Sequence, residues 1–302
     1  MAGRLRILVT GGTGQVGTEL ARQAWPDHVE LILPNRQELD LASSEAVRAY
    51  VMAGRFDAVI NPGAYTAVDK AEADCTTAFA VNAMAAAALA DATRELNIPL
   101  VHVSTDYVFN GSKAEGYHED DPIDPINVYG ASKAAGEHAV RLGNPRHVIL
   151  RTAWVFSPHG NNFIKTMLRL ADRPELRVVS DQKGCPTAAS DIAEALRIIA
   201  MPLIEDRDAP VGTFHFVNEG DTTWFGLASE IFRQEREAGS SVPEVIAIST
   251  TDYPTPARRP ANSVLSVARL VDQYGISPRP WQIALKDTLA SLRNERLKGA
   301  PS

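Results

Sequence analysis

The chain predicts an α/β fold: a Rossmann-type doubly wound parallel sheet with a smaller C-terminal α/β substrate domain. Three observations carry that expectation. A glycine-rich turn, Gly11-Gly12-Thr13-Gly14-Gln15-Val16-Gly17, follows the first apolar run and opens an amphipathic stretch. Short, near-continuous apolar runs then alternate with amphipathic segments, the pattern of parallel strands covered on both faces. The second half loses this rhythm and carries a Pro-rich stretch, Tyr253 to Pro260, that excludes regular structure.

Taken in order, Leu5 to Thr10 reads as the first strand and Gln15 to Ala24 as the helix opened by the glycines. Val29 to Leu33 is the second strand. Ser43 and Ser44 cap a helix running to about Ala53. Asp57 to Asn61 is the third strand, followed by a long helix from about Cys75 to Leu96. Leu100 to Ser104 is the fourth strand, Asn127 to Leu142 a helix, and His147 to Arg151 the fifth strand. Beyond these, Asn162 to Ala171 and Ser190 to Ala200 read as helices, and Thr213 to Val217 and Val245 to Ile248 as short strands. A last helix runs from about Trp281 to Leu297. The division falls at residues 1–155 for a dinucleotide-binding domain and 156–302 for a substrate domain, some of whose segments return to the first sheet.

Composition bounds the function. Apolar residues at 45% and charged residues at 22% are those of a soluble globular protein. A net charge of -7 implies no broad basic surface and excludes a general nucleic-acid binder. The two cysteines, Cys75 and Cys185, lack metal-ligand spacing and read as free thiols in a reducing compartment. Met1 to Arg4 passes directly into a strand without a secretory apolar region. The greasiest run, Met84 to Ala92, is too short to span a bilayer. The expectation is a cytoplasmic protein without a membrane or nucleic-acid partner.

The glycine turn is the first chemical motif. Gly11, Gly14 and Gly17 let the backbone approach a pyrophosphate at a helix N-terminus. A lone glycine triplet says little, but placement after an N-terminal strand makes it specific. The end of the second strand, Leu33-Pro34-Asn35-Arg36, has no carboxylate for an adenosine ribose. Arg36 can instead pair with a 2′-phosphate, which leans toward NADPH over NADH. Asp40, Leu41, Ala64, Tyr65 and Thr66 follow the second and third strands, where such residues line the cofactor crevice.

The second motif is Tyr129-Gly130-Ala131-Ser132-Lys133, a phenol and an ammonium on one helical face. A free tyrosine, with a pKa of about 10, is a poor proton-transfer catalyst at neutrality. A nearby ammonium lowers that value by favouring the phenolate. Thr105, at the end of the fourth strand, is placed to hydrogen-bond a substrate carbonyl oxygen. Tyr129 then delivers a proton to that oxygen as hydride reaches the carbon.

These blocks resemble the extended short-chain dehydrogenase/reductase superfamily, and the likeness narrows along the chain. Thr66-Ala67-Val68-Asp69-Lys70-Ala71-Glu72, Ser104 to Gly111, Asn127 to Gly130, Arg151 to Val155, Gly160 to Phe163, Asp181 to Thr187 and Tyr253 to Ser263 resemble the dTDP-4-dehydrorhamnose reductase family over nearly the whole length. The resemblance implies that Thr105, Tyr129 and Lys133 are catalytic. It implies that Gly14, Gln15, Val16, Asp40, Leu41, Ala64, Tyr65, Thr66, Tyr129 and Lys133 touch the dinucleotide, and that Thr105, Asp106 and Trp154 touch the nucleotide-sugar. The loop containing Arg258 and Arg259 would help hold the sugar's pyrophosphate, since guanidinium groups match phosphate oxygens. Some members of the family form dimers bridged by magnesium through glutamates. Glu19 matches one such position, but serines stand near the other two, at Ser190 and Ser291, which counts against Mg2+ here. No metal is expected, and the chain is a monomer or a homodimer. His102 and His118 read as core-edge and loop residues, and Trp224 and Trp281 as packing residues.

The implied activity is reduction of the 4-keto group of dTDP-4-dehydro-β-L-rhamnose to dTDP-β-L-rhamnose with NADPH or NADH, the last step of dTDP-L-rhamnose synthesis. Three alternatives, in two classes, remain beside it. A dehydratase of the same superfamily carries a glutamate after the Thr-Asp pair; here Tyr107 stands there, which argues against elimination. An epimerase shares the relay and consumes no net cofactor. In another class, the regulatory subunit of methionine adenosyltransferase is similar but weaker around Arg151 to Val155 and Asp181 to Thr187, blocks that are intact here.

Overall fold

The computed structural model describes residues 4–299, with side chains described to residue 295. The reading of Met1 to Gly3 as a direct lead into the first strand lies outside the described residues. Strand β1 (Leu5–Val9) passes through the glycine turn into α1 (Gln15–Arg22). Then come β2 (Val29–Ile32), α2 (Ser44–Ala53), β3 (Ala58–Asn61), the short α3 (Val68–Ala71) and α4 (Cys75–Phe79), α5 (Ala85–Glu95), β4 (Leu100–Thr105), α6 (Val128–Gly143) and β5 (His147–Thr152). The remainder holds β6 (Val155–Phe156), α7 (Phe163–Arg169), β7 (Glu175–Val179), β8 (Lys183–Gly184), β9 (Thr187–Ala188), α8 (Ala189–Glu205), β10 (Gly212–His215), β11 (Thr222–Thr223), α9 (Trp224–Glu237), β12 (Glu244–Ile248), α10 (Ala268–Tyr274) and α11 (Trp281–Gly299).

Six parallel strands form the main sheet in the order β10-β5-β4-β3-β1-β2. Its central strands are largely apolar because both faces are covered. Along β1, Ile7 and Val9 join one layer with Leu20 of α1, Ile192 and Leu196 of α8 and Leu270 of α10. Leu8 between them joins the other, with Val47 of α2, Leu89 of α5 and Val140 of α6. This is the period-two alternation of a strand buried on both sides. The sheet is doubly wound, as the sequence predicts. Strand β10 and helix α8 belong to it, although they lie beyond residue 155.

Local signals set several boundaries. The Ser43 hydroxyl accepts the Ala46 N–H at 3.3 Å and starts α2 where the serine pair suggested. The Asn127 side chain accepts the Gly130 N–H at 2.7 Å and so starts α6 two residues before Tyr129. The long helix expected from Cys75 to Leu96 is α4 and α5 joined by a π-helical turn, Ala80–Met84. Cys75–Glu95 is apolar and long enough to cross a membrane by composition. It packs on the sheet instead, with Ala85, Ala86 and Leu89 fully buried.

Outside the main sheet, β7 and β12 pair in parallel. A third core of Ile164, Leu176, Leu227, Ile231, Leu285 and Leu289 joins them to α7, α9 and α11. Helices α9 and α10 and strand β7 were not anticipated. Helix α9 opens on two aromatics and a glycine, weak helix formers. It is held by the Thr223 hydroxyl, which caps Gly226 N–H at 3.0 Å, and by its buried face.

Candidate active site

A cleft of about 880 Å³ opens at the carboxyl ends of β1, β3, β4 and β5. From β1 the chain moves outward to β2 on one side and to β3, β4 and β5 on the other. Ligands of open α/β sheets bind at such a switch point.

The outer wall is the glycine turn. Gly11 sits at φ +60, and a Cβ there would stand 2.6 Å from Gly63 Cα, so only glycine fits. Helix α1 begins without a side-chain cap, its N-cap being Gly14. Its first N–H groups are therefore available to an anion, which fits a dinucleotide pyrophosphate. Gln15 Oε1 accepts from Ser157 Oγ at 3.0 Å and from Asn162 Nδ2 at 2.9 Å. These bonds tie α1 to the segment before α7. Farther out, Arg36 and Asp40 form a solvent-exposed ion pair at 3.7 Å. Glu19, deeper on α1, has Oε1 3.1 Å from His159 Nε2.

The floor is Pro62 to Thr66, after β3. Asn82, on the π-helical turn, accepts the Tyr65 N–H at 2.8 Å and donates to Tyr65 O at 3.1 Å. It also donates to Ser132 Oγ at 2.9 Å, between Tyr129 and Lys133. One buried amide thus ties the cofactor-side loop to the helix carrying the Tyr-Lys pair.

At the inner end Thr105, Asp106, Tyr129 and Lys133 come together, all less than a tenth exposed. Thr105 Oγ1 donates to Asp106 Oδ1 at 2.9 Å, and Asp106 Oδ2 has no hydrogen-bond partner among the described residues. Burial pushes the Asp106 carboxyl up to about 6. Burial also pushes the Tyr129 phenol up to about 12, against the pull of the Thr105 hydroxyl. This corrects the expectation of a phenol lowered by Lys133. The Lys133 ammonium donates to Val103 O at 2.7 Å and lies 3.5 Å from His102 Nε2, so it is anchored on β4. Lys133 is itself lowered to about 8 by burial, with Glu137 opposing.

The sugar-side wall is aromatic. Trp154 has φ +47, and its indole stacks face to face on Trp224, centroids 3.6 Å apart and planes 8° apart. Gly184 makes room for it: a Cβ there would stand 2.4 Å from the Trp154 ring. Trp224 Nε1 donates to Gln182 at 3.2 Å. The Asp181-to-Thr187 block therefore supports this stack.

The cleft gathers Gly11, Gly14, Gln15, Val16, Gly17, Arg36, Asp40, Leu41, Ala64, Tyr65, Thr66, Thr105, Asp106, Tyr129, Lys133 and Trp154. Arg258 is not among the lining residues. It is exposed, and its carbonyl accepts from Asn127 Nδ2 at 2.8 Å. Its neighbour Arg259 is paired with Asp69 at 2.8 Å. Trp224, read from sequence as packing, lines the cleft. Its position just after Thr222-Thr223, before a helix that was not anticipated, hid it. Trp281 is a core residue, as expected.

A dinucleotide cleft at a switch point, with Thr, Tyr and Lys at its inner end, defines an extended short-chain dehydrogenase/reductase. The family model described as the RmlD substrate binding domain matches residues 5–294. A dTDP-4-dehydrorhamnose reductase of Sinorhizobium fredii is 45% identical, over 92% of this chain and 94% of its own length. The reductase of Aggregatibacter actinomycetemcomitans is 42% identical over 94% and 98%. The crystal structure of the Bacillus anthracis dTDP-4-dehydrorhamnose reductase, in complex with NADP, superimposes with a TM-score of 0.87 at 34% identity, covering 95% of this chain and 99% of that one. The chain belongs to the dTDP-4-dehydrorhamnose reductase family.

Proposed function

We propose that this chain reduces the 4-keto group of dTDP-4-dehydro-β-L-rhamnose to dTDP-β-L-rhamnose with NADPH or NADH, through Thr105, Tyr129 and Lys133. The observation that carries the reading is the meeting of these three side chains, buried, between a glycine cradle suited to pyrophosphate and a stacked tryptophan pair.

The reduced nicotinamide, when bound, supplies the hydride. Everything else falls to the chain. Reduction needs an acid, and a phenol pushed up to about 12 holds its proton at neutral pH. Tyr129 gives that proton to the keto oxygen as charge develops there. Thr105 turns its hydroxyl from Asp106 toward the same oxygen. Asp106, ionised above about 6, then accepts from a sugar hydroxyl. Lys133 carries the positive charge that stabilises the phenolate left behind. Trp154, braced by Trp224, offers its ring to the apolar face of the sugar. The same reading keeps residues 1–155 as the cofactor unit, served by β10 and α8, and residues 156–302 as the sugar unit. It assigns the enzyme to the cytoplasm, as a monomer or homodimer.

The test is absorbance loss at the reduced-nicotinamide band with the 4-ketosugar supplied, run separately with each cofactor. Stoichiometric loss and a 4-hydroxy product are expected. A sugar isomerised without net cofactor consumption would indicate epimerisation and overturn the reading.

A further inference from the structure

A line of buried polar side chains crosses beneath the cleft and ends at Lys133. Thr10, after β1, donates its hydroxyl to Asn61 Oδ1 at the end of β3. Asn61 Nδ2 lies 2.8 Å from His102 Nδ1, on β4. His102 Nε2 lies 3.5 Å from Lys133 Nζ. All four side chains are at most 2% exposed. Polar groups so deeply buried are hydrogen-bonded end to end or are costly. The catalytic reading above uses only Lys133.

The chemistry of each link makes the line reversible. An imidazole is a donor at one nitrogen and an acceptor at the other, a carboxamide is a donor at one end and an acceptor at the other, and a hydroxyl is both. With Asn61 Oδ1 on Thr10, Nδ2 donates to His102 Nδ1 and the imidazole proton sits on Nε2, facing Lys133. That polarity suits a neutral amine, whose lone pair accepts. Against an ammonium it sets N–H against N–H, and the 3.5 Å separation is long for a hydrogen bond. A half-turn of the Asn61 carboxamide reverses every link. Nδ2 then donates to Thr10, His102 Nδ1–H donates to Asn61 Oδ1, and Nε2 accepts from the ammonium.

We propose that Thr10, Asn61 and His102 form a hydrogen-bond chain whose polarity reverses with the protonation of Lys133, making His102 a positioning residue for the relay lysine in both of its states. The proposal rests on the reading of Lys133 as part of the relay. As pH rises through about 8, Lys133 gives a proton to solvent: an N–H bond breaks and Nζ gains a lone pair. The chain with Asn61 Oδ1 on Thr10 and Nε2–H toward Lys133 holds the neutral amine in place without charging His102.

The surroundings agree. Burial, with Lys133 and His147 nearby, holds His102 well below the usual imidazole range, so it stays neutral and changes tautomer rather than charge. Lys133, brought down to about 8, becomes neutral as pH rises through that value. The titratable groups acting on the pair are Glu137 from α6, on Lys133, and His147 from β5, on His102; Asp106 after β4 acts on Tyr129. Glu137 is held as an anion by Arg151 at 2.8 Å and Arg141 at 2.7 Å. His147, also lowered by burial, donates its Nδ1–H to Asn144 O, 2.6 Å away.

The test reads the tautomer directly. Protein labelled with 15N-histidine is titrated without substrate, and the His102 signals are assigned with His102→Gln. The expected result is an Nδ1–H imidazole at acid pH that becomes Nε2–H with the midpoint of Lys133; one tautomer throughout overturns the proposal. Asn61→Asp offers only acceptors, so it pins His102 as Nδ1–H and supports the ammonium. It should move the basic limb of kcat/KM upward by about one pH unit, and an unmoved limb also overturns the proposal. His102→Leu should lose about tenfold in kcat at little-changed KM, with His102→Gln, which keeps a donor and an acceptor, recovering most of it; equal rates in all three proteins argue the reverse. Because the titration needs no turnover, loss of the tautomer switch removes this proposal alone, and absence of ketosugar reduction removes the catalytic reading alone.

Discussion

The two ends of the cleft differ in one physical respect. At the inner end Thr105, Asp106, Tyr129 and Lys133 are buried, and burial has displaced the proton affinities of the last three. At the outer end Arg36 and Asp40 have side chains 80% and 50% exposed, and their ion pair is open to water. Hydrogen bonds and charges gain strength as water is excluded. The same kinds of group should therefore matter far more inside than outside, and a graded set of substitutions tests that directly.

The largest effect is expected at Tyr129. Tyr129→Phe keeps the ring, including its edge-to-face contact with Tyr107 at 5.6 Å, and removes only the acid. Steady-state assays should show kcat down about 1000-fold with cofactor affinity retained, at the upper part of the range for a lost general acid. A near-normal rate would place the proton donor elsewhere.

Lys133→Met comes next, with a loss of about 100-fold and a change in pH dependence. The sign follows from the direction of its shift. The ammonium persists below about 8 and is lost as pH rises through that value. In the parent, kcat/KM should fall on the basic side near there. On the acidic side it should fall below about 6 as Asp106 takes up a proton. The methionine variant should lose the basic limb and keep the acidic one. A basic limb that persists would belong to another group.

Thr105→Val should cost about tenfold in kcat, the worth of one hydrogen bond to a charge-bearing oxygen. Cofactor binding, measured by fluorescence titration, should hold within a factor of about two, since the hydroxyl faces Asp106 and Tyr129 rather than the glycine turn. Equal turnover would mean the hydroxyl only caps the turn at Tyr107 N–H, 3.2 Å away.

The inner end was the more legible in sequence. Its parts obey local rules: a Tyr and a Lys one helical turn apart, and a threonine at a strand end. What sequence did not supply was where the lysine's hydrogen bonds go. That depends on Val103 O and His102, presented by a strand 30 residues earlier; the phenol is raised rather than lowered because it is buried. The sugar wall was half legible. Trp154 stood in a recognisable block, but its partner Trp224 lies 70 residues on and meets it only because Gly184 leaves space. Likewise the pairing of β7 with β12, from distant segments, leaves no local periodic signal. Arg258 and Arg259 were hard to tell apart for the complementary reason. Two adjacent arginines in a Pro-rich loop look alike in sequence, and only tertiary contacts commit Arg259 to Asp69 and leave Arg258 facing solvent.

Arg36 carries the smallest and sharpest expectation. If it holds a 2′-phosphate, Arg36→Ala should raise KM for NADPH and leave KM for NADH unchanged. The size is bounded by its setting: an exposed ion pair contributes about 0.2–1 kcal/mol, so the shift should be no more than about fivefold. Asp40 sharpens the test, because its carboxylate already engages the guanidinium at 3.7 Å and repels a phosphate. Asp40→Asn should therefore lower KM for NADPH while Arg36→Ala raises it. Equal changes for both cofactors in both variants would show that this end of the cleft reads the adenine ring or nothing at all. A shift well beyond tenfold in Arg36→Ala would break the comparison itself, for it would mean that the outer end closes over the cofactor and becomes as dry as the inner one.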